Sequence, residues 1–255
     1  TRVILAERHD VPVVQMSTPT LAGSASTAAG GTVVTLIHEI GTDGLFALLR
    51  VLEGEAREKA EAYYRHCRDG DLALAVAQTD VKGDRSKPPH QQADPDLYVR
   101  VVDRSDEGIV VRGAKCHTTS SANGDEIIVF PTRAMGPDDA DYAVSFAVPA
   151  NAEGLSLYVS GYGGGGGGHD AFDHPVSSKH KLLETLTVFD DVFVPWDRVF
   201  LDGDVEIYNS IRETGYIINM TTQSTTRALT KLQFAYGLAT RMAVLFLCAS
   251  ARSSE

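Results

Sequence analysis

The 255-residue sequence contains few cysteines and none that are paired. Cys67, Cys116 and Cys248 stand singly, so no CxxC motif is present for a zinc knuckle or a redox dithiol. An odd number of isolated thiols, with no signal-peptide pattern at the start of the sequence, is typical of the reducing cytoplasm. We therefore predict a cytoplasmic protein.

Basic residues and long apolar runs are also scarce. Lys and Arg number 23 against 34 Asp and Glu, which gives a formal net charge of -11. A chain this acidic, without a basic stripe, repels phosphate backbones, and this excludes nucleic acid as a partner. The longest apolar run, residues 242–251, is far shorter than the ~20 residues that a membrane span needs, so we expect no membrane segment.

The hydrophobic pattern divides the chain into three parts. Apolar residues recur at three- and four-residue spacing near both ends, as in helices, and 55–68 is predicted to be one exposed helix. Between these ends, short alternating segments bounded by turn-forming residues predict an antiparallel β-barrel or sandwich. We predict an α+β protein with a helical region at 1–70, a β domain at 71–203 and the start of a second helical domain at 204–255.

The first polar cluster is the segment TDVKGDRSKPP at residues 79–89. It places Lys82, Asp84, Arg85 and Ser86 around a glycine, directly after a predicted strand. Such a loop can present a fixed cation and backbone donors to an anion or to a polar ring. A solvated charged turn is the alternative that these residues leave open.

The second polar cluster, GAKCHTTSS at residues 113–121, is rich in hydroxyl groups. His117, Thr118 and Thr119 lie in it between two apolar strands. Hydroxyls at a strand end can hydrogen-bond the rim of a heteroaromatic ring, and histidine can transfer protons near neutral pH. An exposed β-turn capped by Ser and Thr is the alternative.

The third polar cluster, HDAFDHPVSSKHK, contains three histidines and follows a run of six glycines at 163–168. Zinc needs closely spaced ligands on a defined element, whereas this segment carries a proline and neighbouring glycines, so we predict no metal site. A mobile lid over a pocket, gated by the glycine run, is the functional interpretation. A plain surface loop is the alternative.

Taken together, six motifs in order resemble one family. They are TDVKGDRS, QQADPDLYVRVV, DEGIVVRGAKCHTTSSANGDEIIVFPT, DYAVSFAVP, HPVSSKH and TVFDDVFVPWDRVF. They resemble the family that contains the oxygenase components of 4-hydroxyphenylacetate 3-monooxygenase and 4-hydroxybutyryl-CoA dehydratase, over residues 63–242. This resemblance implies an acyl-CoA-dehydrogenase-like fold, in which a β domain lies between helical domains and binds FAD.

The resemblance also implies roles for residues. It implies that the cofactor is bound by six residues: Lys82, Asp84, Arg85, Ser86, Thr118 and Thr119. In the acyl-CoA dehydrogenase fold a G-x-K-x-x-x-T/S strand faces the flavin, and residues 113–119 are similar to it, which puts Thr119 near the reactive edge of the ring. It further implies that a loop over the substrate pocket contains four residues: His174, Pro175, Ser177 and Ser178.

The two chemistries of the family differ in their cofactors. The dehydratase branch holds an iron–sulfur cluster through three Cys and one His, whereas here the helix before the loop offers only Cys67, and 216–231 contains neither residue type. The segment QSTTRALTKLQFAYGLA resembles the monooxygenase branch instead. That branch implies reduced FAD supplied by a separate flavin reductase, and hydroxylation of a phenol such as 4-hydroxyphenylacetate ortho to its hydroxyl group.

The sequence departs from the monooxygenase pattern in two respects. In place of the RTPDY-like segment of that branch it has STPTL at 17–21, and residues 74–77, where that branch has a His before the loop, read LAVA. No phenol-binding Arg, Tyr or His therefore carries over, and His117 is the nearest candidate acid/base. Family members are also longer and continue into a helical bundle that builds a tetramer, so we expect a truncated bundle and a homotetramer or homodimer. A dehydratase-like acyl-CoA enzyme and a truncated, non-catalytic flavin-binding subunit remain the alternatives.

Overall fold

The computed structural model describes residues 44–161 and 183–252. The chain divides into two compact units, residues 1–211 and 212–255. In the described part of the first unit, residues 44–51 are helical (α1), followed by α2 at Gly54–Asp69 and a short α3 at Val205–Ser210. The helix predicted at 55–68 is confirmed by α2, which is capped at its C-terminus by Gly70 and buries Ala60, Tyr63 and Cys67 along one face.

The β region contains eight described strands. They are β1 Leu74–Ala77, β2 Arg100–Arg104, β3 Gly108–Thr119, β4 Glu126–Val129, β5 Val144–Pro149, β6 Leu155–Gly161, β7 Leu183–Pro195 and β8 Val199–Asp202. They form two four-stranded sheets, sheet A with the order β1-β4-β5-β8 and sheet B with the order β2-β3-β7-β6. Helices and sheets together agree with the predicted α+β class.

The sequence prediction needs correction at several strands. β1 pairs with β4 in parallel, so sheet A is mixed rather than antiparallel. β7 runs without interruption from Leu183 to Pro195. Residues 113–119 lie within β3, which agrees with their likeness to a strand and not with the alternative of a β-turn. β6 and β8 were not predicted. β8 is short and almost fully buried, so it lacks the alternation on which the prediction depended.

The two sheets share one hydrophobic core. Its residues alternate along the strands, as with Ile109 and Val111 on β3 and Ile127 and Val129 on β4. Phe146 on β5 and Phe189 on β7 meet edge to face, with ring centroids 5.7 Å apart, and so join sheet A to sheet B. This core fixes the end of β1, after which the first polar cluster begins, and the middle of β3, where the second begins.

Helix α2 packs on sheet A through a mixed aromatic and ionic contact. The ring centroids of Tyr63 on α2 and Phe200 on β8 are 5.1 Å apart. The Tyr63 hydroxyl donates to Glu126 Oε2 at 3.3 Å, and Arg198 Nη1 donates to the same oxygen at 2.6 Å. This pairing leaves the buried Glu126 carboxylate compensated, as burial of a charge requires.

The second unit contains one long helix, α4, at Tyr216–Arg252. Large apolar residues along this helix are exposed, among them Leu232, Phe234, Tyr236 and Met242, each more than 60% accessible. Residues 216–250 are long and apolar enough to cross a membrane by length and composition alone, which corrects the expectation that no stretch of the chain meets that test. Core helices of soluble proteins have the same length and composition.

Candidate functional site

The first two polar clusters are neighbours in the fold. After β1 ends, the chain runs beside β3, where the Cys116 N–H donates to the Thr79 carbonyl at 2.8 Å. Asp80 and Lys115 form an antiparallel bridge, and Cys116 Sγ donates to the Asp80 carbonyl at 3.3 Å. The start of the 79–89 loop is therefore held by backbone contacts against the middle of the 113–121 segment.

A buried ion pair reinforces this junction. Lys115 and Asp80 are each 2% exposed, and Lys115 Nζ donates to Asp80 Oδ1. The same ammonium donates to the Gln78 carbonyl at 3.2 Å and to the Phe130 carbonyl at 2.9 Å. One lysine thus ties together the exits of β1 and β4 and the middle of β3. Asp80 Oδ2 has no hydrogen-bond partner among the described residues.

The loop after Asp80 is shaped by Gln92. Its Oε1 accepts from the Asp84 N–H at 2.9 Å, while its Nε2 donates to the carbonyls of Asp84 and Lys87 at 2.8 and 3.1 Å. Gly83 has φ +51°, and a Cβ there would lie 2.6 Å from Gln92 Oε1, so a glycine is needed at this turn. These bonds give the loop a defined backbone conformation, while residues 83–87 remain exposed to solvent.

Two of the predicted loop residues bind each other. Asp84 Oδ1 accepts from the Ser86 hydroxyl at 2.7 Å and from the Ser86 N–H at 3.0 Å, and these bonds hold the pKa of Asp84 below its ordinary value. Lys82 and Arg85 differ, because neither cation has an ion-pair partner among the residues that the structure describes. Asp84 and Ser86 thus shape the loop, whereas the positive charges of Lys82 and Arg85 are not paired with a carboxylate among the described residues.

A cavity of about 130 Å³ opens at this loop. Its lining residues are mostly cationic or hydroxyl-bearing: Asp80, Lys82, Arg85, Tyr98, Thr132 and Arg133. The Tyr98 hydroxyl donates to the Lys82 carbonyl at 3.1 Å, and Arg133 Nη1 donates to the Lys87 carbonyl at 2.7 Å. Because Lys115 already compensates Asp80, the side chains of Lys82, Arg85 and Arg133 give this part of an acidic chain a local excess of positive charge.

The end of β3 departs from regular strand geometry. From residue 109 onward the buried positions along it are 109, 111, 113 and 115, and then 118, so the alternation skips one residue. Pairing with β7 shifts between Lys115 and Thr118, which marks a β-bulge, and His117 within it has φ +56°. The bulge leaves His117 and Thr119 on the accessible side and turns Thr118 inward.

The inward position of Thr118 corrects one expectation. Its side chain is fully buried, and its Oγ1 has no hydrogen-bond partner among the described residues. Its carbonyl accepts from the Ser121 hydroxyl at 3.2 Å and from the Thr185 hydroxyl at 3.3 Å. The Thr118 hydroxyl is therefore unavailable to a ligand at the accessible face, whereas Thr119 is only partly buried.

One carboxylate binds both accessible side chains of the bulge. Glu184, at the start of β7, lies 2.9 Å from His117 Nδ1 through its Oε2 and accepts from the Thr119 hydroxyl at 3.3 Å through its Oε1. Sequence reasoning missed Glu184 because 65 residues separate it from Thr119. It also passed over Gln92, which stands within the quoted motif QQADPDLYVRVV. Asp80 and Lys115 stood within quoted motifs without being singled out.

Part of the predicted site lies outside the described residues. This applies to the glycine run at 163–168 and to the four residues expected over the substrate pocket: His174, Pro175, Ser177 and Ser178. Within 44–161 and 183–252, no group of three or more His, Cys, Asp and Glu side chains could hold a metal ion.

Burial raises the pKa of the Cys67 thiol to about 11, so this thiol is protonated at neutral pH.

A family model described as "4-hydroxyphenylacetate 3-hydroxylase N terminal" matches residues 38–201. The chain belongs to this family. It is 38% identical over 191 residues to the 4-hydroxyphenylacetate 3-monooxygenase oxygenase component of Thermus thermophilus, a match that covers 74% of this chain and 39% of that protein. It is 44% identical over 149 residues to the 4-hydroxybutyryl-CoA dehydratase/vinylacetyl-CoA-Δ-isomerase of Clostridium aminobutyricum, which covers 54% of this chain and 29% of that protein.

Solved structures of the 4-hydroxyphenylacetate 3-hydroxylase family have the same fold. The oxygenase component of 4-hydroxyphenylacetate 3-monooxygenase complexed with FAD matches with a TM-score of 0.60 and 37% identity, over 70% of this chain and 36% of that one. A 4-hydroxybutyryl-CoA dehydratase from N. maritimus also matches with a TM-score of 0.60, at 30% identity, over 70% of this chain and 37% of that one. The chain thus spans less than two fifths of these relatives, and its fold is common to both chemistries.

Proposed function

We propose that this chain is the flavin-binding part of a reduced-FAD-dependent monooxygenase, the oxygenase component of a two-component system. Its substrate would be a phenol such as 4-hydroxyphenylacetate, hydroxylated ortho to its hydroxyl group, with reduced FAD from a separate flavin reductase. The observation that carries the proposal is the junction at Cys116 and Thr79, which brings the 79–89 loop beside the hydroxyl-rich end of β3. The FAD complex of a relative with the same fold supports it.

The side chains at the junction fit the chemistry of FAD. Its diphosphate and carbonyl oxygens accept hydrogen bonds, and the uncompensated cations Lys82 and Arg85 can donate them. Thr119 adds a hydroxyl from the other segment. Asp84 and Ser86 would act indirectly, since they brace the turn that presents Arg85. When bound, FAD supplies the redox and oxygen chemistry, while the chain orients it and sets the polarity around it.

Residues of this chain would also contact the substrate and accept its proton. His117, with 73% of its side chain exposed, is the candidate to accept the phenol proton, which would favour attack at the ortho carbon. The segment around His174, Pro175, Ser177 and Ser178 is proposed to cover the substrate.

We further propose a cytoplasmic homotetramer or homodimer, which light scattering of the purified protein would test.

A second candidate is an acyl-CoA dehydratase or isomerase. The 44% identity to the Clostridium aminobutyricum enzyme is the observation that favours it. That chemistry would require thiolate ligands for an iron–sulfur cluster, and the chain offers Cys67 alone before the 79–89 loop. Stoichiometric iron and sulfide in anaerobically purified protein would overturn the monooxygenase proposal in favour of this one.

A third candidate is a flavin-binding subunit without catalytic activity. The observation that favours it is the segment STPTL at 17–21, which stands in place of the RTPDY-like segment of the monooxygenase branch. The experiment that separates it from the monooxygenase is incubation of the purified chain with reduced FAD, oxygen and a panel of phenols that includes 4-hydroxyphenylacetate. Formation of a catechol would support the monooxygenase. Tight FAD binding without a catechol would favour the non-catalytic subunit, and no FAD binding would overturn both.

A further inference from the structure

The β-bulge of β3 gives His117 a partner that the motifs do not contain. Glu184 Oε2 lies 2.9 Å from His117 Nδ1, and this carboxylate is largely buried, with 18% of its side chain exposed, whereas the imidazole is 73% exposed. A partly buried carboxylate beside an exposed imidazole is the arrangement that orients a histidine in proton transfer, because it fixes which ring nitrogen carries the hydrogen.

The backbone beside this contact adopts a strained conformation. His117 and Ser120 both have φ near +60°, a conformation that non-glycine residues rarely adopt. Such conformations persist where the surrounding structure enforces them, and they concentrate at functional sites. Here the Ser120 N–H donates to the Leu183 carbonyl at 2.8 Å, which secures the strained end of β3 beside Glu184.

The bulge also decides which side chains share the carboxylate. Without the extra residue, the alternation that buries Ile109, Val111 and Lys115 would bury position 117 as well. With it, His117 and Thr119 both reach Glu184, and Thr119 donates to the second oxygen at 3.3 Å. Both carboxylate oxygens are thus engaged, which prevents the carboxylate from rotating away from the imidazole.

We propose that Glu184 is a positioning residue that holds neutral His117 with the hydrogen on Nδ1, so that the Nε2 lone pair is free and faces solvent. Nδ1–H donates to Glu184, and Nε2 can then accept a proton from a hydroxyl group. In that step an O–H bond breaks, an Nε2–H bond forms, and the phenol and imidazole become phenolate and imidazolium. The tautomer is a property of the chain alone, and only its use on a phenol rests on the proposed function.

The test is nitrogen-15 NMR of the full chain labelled at histidine, without flavin or phenol. The His117 signals are assigned with His117→Gln, and spectra are recorded at increasing pH until these signals stop changing, so that the neutral ring is the species observed. We expect a protonated Nδ1 and an unprotonated Nε2. Glu184→Gln keeps an acceptor oxygen and should preserve this pattern, whereas Glu184→Ala should move both signals toward the average of the two tautomers.

Glu153→Ala, which removes an exposed glutamate from a loop, is the matched control and should leave the spectrum unchanged. A protonated Nε2 in the unmodified chain, or a Glu184→Ala spectrum identical to it, would overturn the proposal. Should Glu184→Ala fail to fold, the unmodified chain and Glu184→Gln still decide the tautomer. If the chain hydroxylates a phenol, Glu184→Ala should lower kcat more than it raises KM, and Glu184→Gln should restore part of the loss.

Discussion

Lys115 on β3 and Asp80 after β1 form a buried ion pair that joins the two polar segments of this protein. Each side chain is 2% exposed, and the lysine also satisfies the carbonyls of Gln78 and Phe130. The pair lies where the candidate cofactor loop leaves the sheet. It therefore couples the stability of the β domain to the placement of that loop.

Removing one member of this pair should destabilise the protein. Lys115→Met leaves Asp80 buried without a counter-charge, and we expect the free energy of unfolding to fall by roughly 3–5 kcal/mol. The double variant Lys115→Met/Asp80→Asn should recover part of this loss, because it removes the uncompensated charge. Urea denaturation measures both. Arg65→Met, which breaks an exposed pair with Glu61, is the control and should change little.

Gln92 should control the loop without touching a ligand. Gln92→Ala removes the side chain that bonds to Asp84 and Lys87, so we expect a loss of roughly 1–3 kcal/mol in stability and weaker FAD binding. Fluorescence titration with FAD and thermal unfolding measure the two effects. Gln91→Ala, at the neighbouring exposed position, should affect neither. Equal FAD affinity in all three proteins would show that loop order does not matter for binding.

Arg85 should bind the cofactor directly. It has no ion-pair partner among the described residues and lines the cavity, so Arg85→Ala should weaken FAD binding by roughly 1.5–3 kcal/mol, the range for a hydrogen bond to a charged group. Calorimetric titration of the purified variant measures this, with circular dichroism as a check on folding. Unchanged affinity would remove Arg85 from the flavin site. Arg133→Ala tests whether a second arginine of the cavity lining contributes.

Asp139 should make stability depend on pH in the acid range. Burial raises the pKa of Asp139, but hydrogen bonds from the Gly136 N–H and from His90 outweigh it, and the pKa is lowered. The unfolded carboxyl, with a pKa of about 3.9, therefore binds a proton more readily than the folded one. Its contribution is present above about pH 4 and is lost as the pH falls through the folded pKa.

Asp139→Asn should therefore lower stability near neutral pH and flatten its decline below about pH 4. Unfolding curves recorded from neutral to acid pH measure this slope. Asp138→Asn, at the exposed neighbouring position, should leave the slope as it is in the unmodified chain. A slope that Asp139→Asn does not change would contradict the assignment.

Local patterns predicted helix α2 and most strands of the β region, because these elements follow from hydrophobic period and turn residues. They did not predict the parallel pairing of β1 with β4, since pairing direction depends on how the chain returns after 48 intervening residues. Nor did they predict β8, whose residues are buried together and show no alternation. The long apolar helix α4 was predicted as a helix but not recognised as meeting the length and composition of a membrane span.

The candidate site likewise has features that the sequence predicts and features that only the tertiary structure determines. The sequence alone shows the chemical groups of its two segments, because these groups depend only on residue type. One segment contains cations and a turn glycine, and the other contains hydroxyls and an imidazole. Only the folded chain determined that Thr79 and Cys116 are hydrogen-bonded, that Thr118 faces inward and that Glu184 meets His117. These facts depend on strand pairing and on one extra residue in β3, and a single inserted residue reverses which side chains face solvent from that point onward.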